Sequence, residues 1–363
     1  MMTFKEALFF IGKCLTINHE KHNYIIIEQV LKEGTVDWDS VVKVSTAHYV
    51  FPALYCNLKK ANFLNYVPND LVEYMEHITQ LNRERNQQII AQAKEINKIL
   101  LDHNITPIFL KGTGNLLEGL YNDIGERMVG DIDFLVDLKD FENTVSTLKI
   151  LDYDSKEDKY LDHRHHPRLT NESGIAALEV HKGLLINKYD NEFNYDIVSK
   201  TILTKNNFNL LSYQDQLSLS IIAKQINDDG QFYNNIALRN SYDVFLLSQK
   251  VNSLESITKF HRLFNPLNNF LAITTYTLNS KSIHFESNNL TKNVLRKFEK
   301  IIVKELKQQR ITRKLFIAKR LTIIYKSFFS KEYKNWLLKK ITSKKWQQQK
   351  LIQLGLKKTK PNL

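Results

Sequence analysis

The stretch that decides the fold is IFLKGTGNLLEGLYNDIGERMVGDIDFLV, which spans residues 108–136. Its start belongs to a short apolar run, 106–110, that ends at Lys111-Gly112, and this pattern predicts a buried strand followed by a tight turn. The next residues, 115–121, have the spacing of a short helix. The stretch therefore opens as strand, turn and helix, the order expected of a small α/β core.

Two carboxylates, Asp131 and Asp133, stand at the start of a second predicted strand, after a polar loop. Because side chains alternate across a strand, residues two apart project from the same face. A predicted helix over 141–151 leads to a third strand, 176–181, whose Glu179 would converge on the pair. Three carboxylates at one sheet edge suit Mg²⁺, and two such ions about 4 Å apart stabilise an in-line displacement.

Cations and glycines precede the carboxylates. Lys111 and Gly112 lie where the first strand passes into a helix, and backbone N–H groups at a helix start attract phosphate. Arg127 lies in the loop before the second strand. Either cation would neutralise the charge of a bound triphosphate.

Each feature has a simpler explanation when it is taken alone. An Asp-x-Asp pair is common in solvated turns, a single Lys-Gly is weak evidence, and Glu179 by itself is typical of a solvated strand residue. The order of the features is what favours a site: strand, glycine turn, helix, Asp-x-Asp strand and acid-bearing strand follow one another in a mechanistically sensible sequence.

Helical patterns flank this core on both sides. A long stretch without Gly or Pro begins at Asp70 and predicts an amphipathic helix that stops near Asn104. After about residue 200 the pattern is again helical, with apolar faces over the ranges 215–224, 241–249 and 295–338. We therefore predict an α+β fold, with a small mixed-sheet core at 105–200 between helical regions at 1–104 and 201–363.

Composition narrows the class of protein. The chain has 363 residues, of which 43% are hydrophobic, so a substantial folded core is expected. Two cysteines in no metal-binding spacing argue against a disulfide framework or a structural zinc site. No signal peptide and no apolar run of about 20 residues is evident. The sequence thus predicts a cytoplasmic protein.

The basic charge lies at one end. Residues 291–363 contain 22 Lys or Arg and three acids, whereas residues 1–290 contain 29 Lys or Arg and 36 acids. The whole chain has a formal net charge of +12. Residues 310–363 interleave cations with apolar and aromatic residues. Three interpretations remain open: a helical lid on the core, peripheral contact with an anionic membrane at its inner surface, or contact with nucleic acid.

The motifs resemble a known family. The run 108–136 is similar to an uncharacterised bacterial nucleotidyltransferase family whose signature is Leu-Lys-Gly, then a tyrosine, an arginine and a DIDLLV-like strand. Upstream, WDSVVKVSTAHYVFPALYCNL and RNQQII resemble its N-terminal helices, and downstream, HHPRL, ALEVHKGLL and LRNSYDVFLL resemble its later segments. The likeness extends over roughly residues 35 to 250.

The resemblance implies a polymerase-β-like nucleotidyltransferase core. Carried over by position, the phosphate-binding turn is Gly112-Thr113, the metal-binding pair is Asp131 and Asp133, and the third acid is Glu179. Thr113 replaces the usual Gly or Ser and keeps a hydroxyl. The gap from Thr113 to the aspartate pair is longer than the superfamily norm, which bears on substrate choice more than on fold.

The reaction implied is metal-dependent transfer of a nucleoside monophosphate to a hydroxyl. Mg²⁺ or Mn²⁺ and a nucleoside triphosphate, ATP among the expected donors, would bind along the turn, with Lys111 or Arg127 near the phosphates. Glu179 would complete a second metal site and take the proton of the acceptor, whether small molecule, sugar, protein or RNA. The alternatives are a toxin-like enzyme acting on RNA or protein, and a catalytically inactive NTP-binding scaffold.

Histidines offer one further set of candidates. His166 lies in a polar loop before Pro167, and His181 follows Glu179 by two residues. One interpretation is a solvated loop, and the sharper one places His166 and His181 at the border of the acceptor pocket. His48 and Asp243 also match family positions and are interpreted as structural.

Overall fold

The computed structural model describes residues 2–156, 163–233, 235–303, 305–344 and 346–348. The chain forms two compact units, Met1–Val303 and Lys304–Leu363.

The first unit begins with five helices, and these are α1 (Phe4–Cys14), α2 (Lys21–Lys32), α3 (Trp38–Ala47), α4 (Phe51–Lys60) and α5 (Asn69–Asp102). Helix α5 is 34 residues long, and the chain leaves it through Asn104, whose φ of +59° is a left-handed value that asparagine tolerates. The long helix and its stop near Asn104 confirm the prediction from the apolar spacing.

A five-stranded mixed sheet follows. Its strands are β1 (Ile108–Phe109), β2 (Asp131–Leu135), β3 (Ala177–His181), β4 (Leu203–Lys205) and β5 (Phe208–Leu210). Their spatial order is β3-β2-β1-β5-β4, with β1 parallel to β5, β2 parallel to β3, and the other two pairs antiparallel. Ile132, Phe134 and Leu178 are fully buried within the sheet. The mixed sheet between helical regions confirms the predicted α+β class.

The strands are joined by short helices, and these are α6 (Lys111–Glu118), α7 (Phe141–Ile150) and α8 (Tyr195–Val198). After the sheet, the chain forms the remaining helices of the first unit, and these are α9 (Tyr213–Ile222), α10 (Gly230–Tyr233), α11 (Leu238–Ser248), α12 (Ser253–Ile257), α13 (Phe264–Leu278) and α14 (Asn289–Ile302). A turn of π-helix, Ala223–Asn227, extends α9.

The second unit contains α15 (Glu305–Phe329) and α16 (Lys331–Ile341), which pack against each other. Throughout the described residues, no helix combines the length and apolar character needed to cross a membrane.

Two local features differ from the sequence prediction. The β4–β5 hairpin lies in a region predicted to be helical, and its turn is Asn206-Asn207, both with positive φ. Helix α6 begins at Lys111, four residues before the predicted start, so that Gly112 lies inside its first turn. Leu110 is the N-cap of this helix: its backbone is extended, and its carbonyl accepts the first helical hydrogen bond, from Gly114 N–H.

Gly114 fixes how closely α6 approaches β1. A Cβ atom at this position would lie 2.8 Å from the carbonyl oxygen of Phe109, a contact with backbone that cannot move aside easily. At Gly130, directly before β2, an added Cβ would meet no atom of the described residues within 4 Å. Gly130 therefore serves as the control for a substitution at Gly114.

We expect Gly114→Ala to lower the free energy of unfolding by about 1–3 kcal/mol, because the added methyl must push α6 away from β1. Gly130→Ala should leave the free energy of unfolding unchanged within about 0.5 kcal/mol. Urea denaturation followed by circular dichroism measures both. Equal stability of the two variants would contradict the close packing of α6 on β1.

Candidate functional site

The acidic side chains meet because β2 and β3 run parallel in a fixed register. Asp133 lies directly opposite Glu179, and Asp131 lies opposite Ala177 at the start of the same pair. Since residues two apart share a face, Asp131, Asp133 and Glu179 project from one side of the sheet. The side chains of Asp133 and Glu179 are 10% and 8% exposed, and that of Asp131 is 26% exposed.

Lys111 lies between the two inner carboxylates. Its Nζ forms an ion pair with Asp133 Oδ1 and lies 3.5 Å from Glu179 Oε2. The φ of Lys111 is +50°, a left-handed value that lysine rarely adopts. Backbone strain of this kind tends to be retained at functional sites, and here it accompanies a lysine ammonium group placed between two acids.

Arg168 links the outer and inner acids. Its Nη2 donates to Asp131 Oδ2 at 3.0 Å, and its Nε donates to Glu179 Oε1 at 3.0 Å. Arg168 belongs to a segment that runs antiparallel alongside β3, with Leu169 paired to Leu178 and His165 to His181. This added edge brings the arginine onto the carboxylate face.

Two histidines complete the cluster. His181 is 1% exposed, and its Nε2 lies 2.9 Å from Asp133 Oδ1 and 3.5 Å from Glu179 Oε2. The Nδ1 atom of His181 has no hydrogen-bond partner among the described residues. His165 packs its ring 4.9 Å from the ring of His181, and its Nε2 lies 3.9 Å from Glu179 Oε2.

Burial and these contacts shift the pKa values of Glu179 and Asp131 in opposite directions. Burial acts to raise the pKa of Glu179, but the hydrogen bond from His181 and the charge of Lys111 outweigh it and hold this pKa well below its usual range. Burial raises the pKa of Asp131, with Arg168 opposing and the neighbouring acids adding to the rise. Glu179 is therefore ionised at neutral pH, and Asp131 is the acid that takes up a proton more readily.

A cavity of about 280 Å³ opens over this cluster. Its far wall comes from α9, the π-helical turn and α11, through Ser220, Ala223, Asp228, Arg239 and Asn240. Arg164 lines it as well, and the buried Nε of this side chain has no hydrogen-bond partner among the described residues. Burial lowers the pKa of both Arg164 and Arg239, although both remain charged at neutral pH.

Arg127 lines the same cavity, but its guanidinium group is engaged by a buried acid. Its Nε and Nη2 donate to the Asp243 carboxylate at 2.9 and 2.8 Å, and Tyr121 Oη donates to the same carboxylate at 2.7 Å. Burial opposes the charge, yet Asp243 and Tyr121 keep the pKa of Arg127 above its usual value. Arg127 thus holds the loop before β2 against α11.

Other predicted residues take different places. Gly112 lines the cavity. Thr113 is fully buried and its hydroxyl donates to the carbonyl of Asp131 at 2.9 Å, which fixes the start of β2. The structure does not bring His166 into the cluster, because its ring lies 6.5 Å from the ring of Phe141 and its Nδ1 lies 2.7 Å from the carbonyl of Pro167.

The donor set fits a divalent cation. Asp133, Glu179 and His181 each offer one ligand atom, and these atoms lie within 4.8 Å of one another. Carboxylate oxygens suit Mg²⁺ and Mn²⁺, and an imidazole nitrogen shifts the preference toward Mn²⁺ or another transition metal. In this arrangement His181 joins the inner acids more closely than Asp131 does.

Sequence reasoning singled out neither Arg164, Arg168 nor Arg239 as a site residue. The segment 163–170 has no regular alternation of apolar residues, since its pairing to β3 shifts register between His165 and Leu169. The arginine in LRNSYDVFLL comes from another part of the chain, and its approach to the carboxylates depends on how α11 packs. The available signal was the spacing of Arg164 and Arg168, one just before the HHPRL segment and one within it.

The buried Arg127–Asp243 pair yields a stability prediction. Asp243→Ala would leave a buried guanidinium group without its counter-ion, so we expect a loss of about 3–5 kcal/mol in the free energy of unfolding. Glu28→Ala removes the partner of Lys32 in an exposed pair and should cost less than about 1 kcal/mol. Chemical denaturation measures both, and a small loss for Asp243→Ala would contradict the anchoring role.

Comparison with known proteins gives one family. A search of curated proteins found no match to the chain. Residues 34–279, about two thirds of the sequence, match the model of a family described as "Uncharacterised nucleotidyltransferase". The matched range includes the whole sheet, the carboxylate cluster and the far wall of the cavity. The chain belongs to the uncharacterised nucleotidyltransferase family.

Proposed function

We propose that this protein is a metal-dependent nucleotidyltransferase that transfers a nucleoside monophosphate from a nucleoside triphosphate to a hydroxyl of an acceptor. The observation that carries the proposal is the convergence of Asp131, Asp133 and Glu179 at the floor of a cavity lined by cations. An acidic cluster alone would bind a cation, and a cationic cavity alone would bind an anion. A metal–triphosphate complex needs both.

The triphosphate would be neutralised from two sides. Lys111 and Arg168 lie on the sheet side of the cavity, and Arg164 and Arg239 line it as well. The Nε of Arg164 is a buried donor with no hydrogen-bond partner in the described part of the chain, and a phosphate oxygen would satisfy it. Arginine suits this role because its planar group binds two phosphate oxygens at once.

Asp133 and Glu179 would hold the metal together with His181 or Asp131. Divalent cations at such a site neutralise the phosphates and lower the pKa of the attacking hydroxyl. The low pKa of Glu179 fits a carboxylate that remains ionised as a ligand.

In the transfer step, the acceptor hydroxyl oxygen forms a bond to the α-phosphorus, and the bond from this phosphorus to the bridging oxygen of the β-phosphate breaks. Pyrophosphate leaves, and the cations of the cavity neutralise its growing charge. Asp131 is better suited than Glu179 to accept the hydroxyl proton, because burial raises its pKa and its side chain is the more exposed.

Binding of a nucleoside triphosphate with Mg²⁺ or Mn²⁺ tests the proposal directly. We expect isothermal titration calorimetry to show metal-dependent binding of at least one triphosphate to the wild type. Asp131→Asn/Asp133→Asn should lose this binding by about 100-fold or more, because the charge that holds the metal is removed. Asp140→Asn, an isosteric change outside the cavity, should bind as the wild type does.

Absence of triphosphate binding under all conditions would refute the proposal and favour a catalytically inactive scaffold. Binding that survives in Asp131→Asn/Asp133→Asn would move the site away from the carboxylates.

Lys111 gives an independent prediction, because its ammonium group pairs with the same carboxylates that would hold a metal. Lys111→Met should bind Mn²⁺ roughly threefold to tenfold more tightly without nucleotide, since a competing positive charge is removed. The same variant should bind the Mn²⁺–triphosphate complex more weakly, since a phosphate partner is lost. Electron paramagnetic resonance of free Mn²⁺ measures the first effect.

Lys149→Met, on the exposed face of α7, serves as the control and should change neither affinity. Weaker Mn²⁺ binding by Lys111→Met in the absence of nucleotide would contradict the role of Lys111 as the internal counter-ion.

A further inference from the structure

The second unit exposes a row of apolar side chains. Ile317, Leu321, Ile324 and Phe328 on α15 are spaced by four, three and four residues, which places them on one face of the helix. Their exposed fractions are 53%, 61%, 44% and 79%. We call these four residues the outer seam.

The outer seam is not the face by which α15 meets α16. The half-buried residues of α15, such as Phe316 and Arg320, lie on a different side of the helix. The guanidinium of Arg320 lies 4.7 Å from the Phe316 ring and 5.9 Å from the Trp346 ring, within the same unit. Helix α15 therefore has apolar residues on two sides, and α16 packs against only one of them.

Aromatic residues adjoin the outer seam at its C-terminal end. Tyr325 and Phe329 are 65% and 76% exposed, and their rings pack 5.0 Å apart. Such a concentration of exposed large apolar side chains on one helix exceeds what a solvated surface normally carries.

The surroundings of the outer seam are strongly basic. Residues 310–344 contain eleven Lys or Arg and one acid, Glu332. Arg310 and Lys314 fall on the same side of α15 as the seam, one turn or two before Ile317. A partner that binds this surface must therefore offer both an apolar region for the outer seam and negative charge for the cations around it.

We propose that the α15–α16 hairpin docks on an anionic lipid surface, with the outer seam inserted among the acyl chains and the cations against the headgroups. A lipid surface supplies both requirements at once. A second copy of this chain would carry the same positive charge and be repelled. Nucleic acid would satisfy the cations and stack bases on Phe328 and the adjoining rings, but it would leave the aliphatic Ile317, Leu321 and Ile324 exposed to water.

Flotation of the full-length protein with vesicles tests the proposal, without nucleotide, so that its outcome is independent of the transfer reaction. We expect the wild type to float with vesicles containing about 30% phosphatidylserine and to float far less with neutral phosphatidylcholine. Leu321→Ser/Phe328→Ser keeps every charge and should reduce the bound fraction about tenfold or more.

The matched control is Leu138→Ser/Ile150→Ser, which changes two side chains of the first unit that are equally exposed, at 66% and 82%. This control should float as the wild type does. Absence of flotation, or equal loss in both variants, would overturn the proposal.

Two further results would also overturn it in favour of another occupant. An RNA gel shift that Leu321→Ser/Phe328→Ser abolishes, with vesicle binding unaffected, would assign the surface to nucleic acid. A wild-type dimer that the same variant converts to a monomer, without flotation, would assign the surface to a second copy.

Discussion

Negative charge held in a small space is the constraint on which the rest of the site depends. The parallel register of β2 and β3 sets Asp133 opposite Glu179, with Asp131 two residues away on the same face. Three carboxylates this close repel one another, and burial adds to the cost of keeping them ionised. The surrounding cations offset that repulsion: Lys111 pairs with the inner acids, and Arg168 joins the outer acid to Glu179.

The loop between α6 and β2 delivers the aspartates to this position. Asn82 and Asn86 of α5 donate to carbonyls of the loop at Gly125 and Ile124, over 2.7 and 2.6 Å, and both also donate to the carbonyl of Arg127. Arg127 in turn binds Asp243 on α11. The long helix α5 and the helix α11 thus clamp the loop from two directions.

Much of the fold follows from local sequence. The apolar runs and the Asp-x-Asp spacing predict β2 and β3 within about one residue, and the shared face of Asp131 and Asp133 follows from the period of a strand. The sequence analysis did not predict the β4–β5 hairpin, although Asn206 and Asn207 are residues that tolerate the positive φ of a two-residue hairpin turn. The arginines of the cavity could not be predicted in the same way. Arg168 reaches the acids through an irregular edge pairing, and Arg239 through the packing of α11, and neither contact has a local pattern.

Arg127 shows how a tertiary contact limits what the sequence alone can predict of a side chain. Its position in the loop before the aspartate pair, and its positive charge, predict a residue that binds the triphosphate. In the structure, the Arg127 side chain is also the counter-ion of the buried Asp243 carboxylate. The charge of Arg127 is therefore paired with Asp243, which the sequence alone does not reveal. The other cations that line the cavity come from other segments of the chain.

The most direct test of the account is anomalous diffraction from crystals grown with Mn²⁺ and a non-hydrolysable nucleoside triphosphate. We expect an anomalous peak in contact with Asp133 and Glu179, at about 2.0–2.3 Å from their oxygens. Lys111 should leave the carboxylates, and the triphosphate should lie against Arg164 or Arg168. A triphosphate bound elsewhere, or a peak remote from β2 and β3 with the Lys111 ion pairs intact, would contradict it.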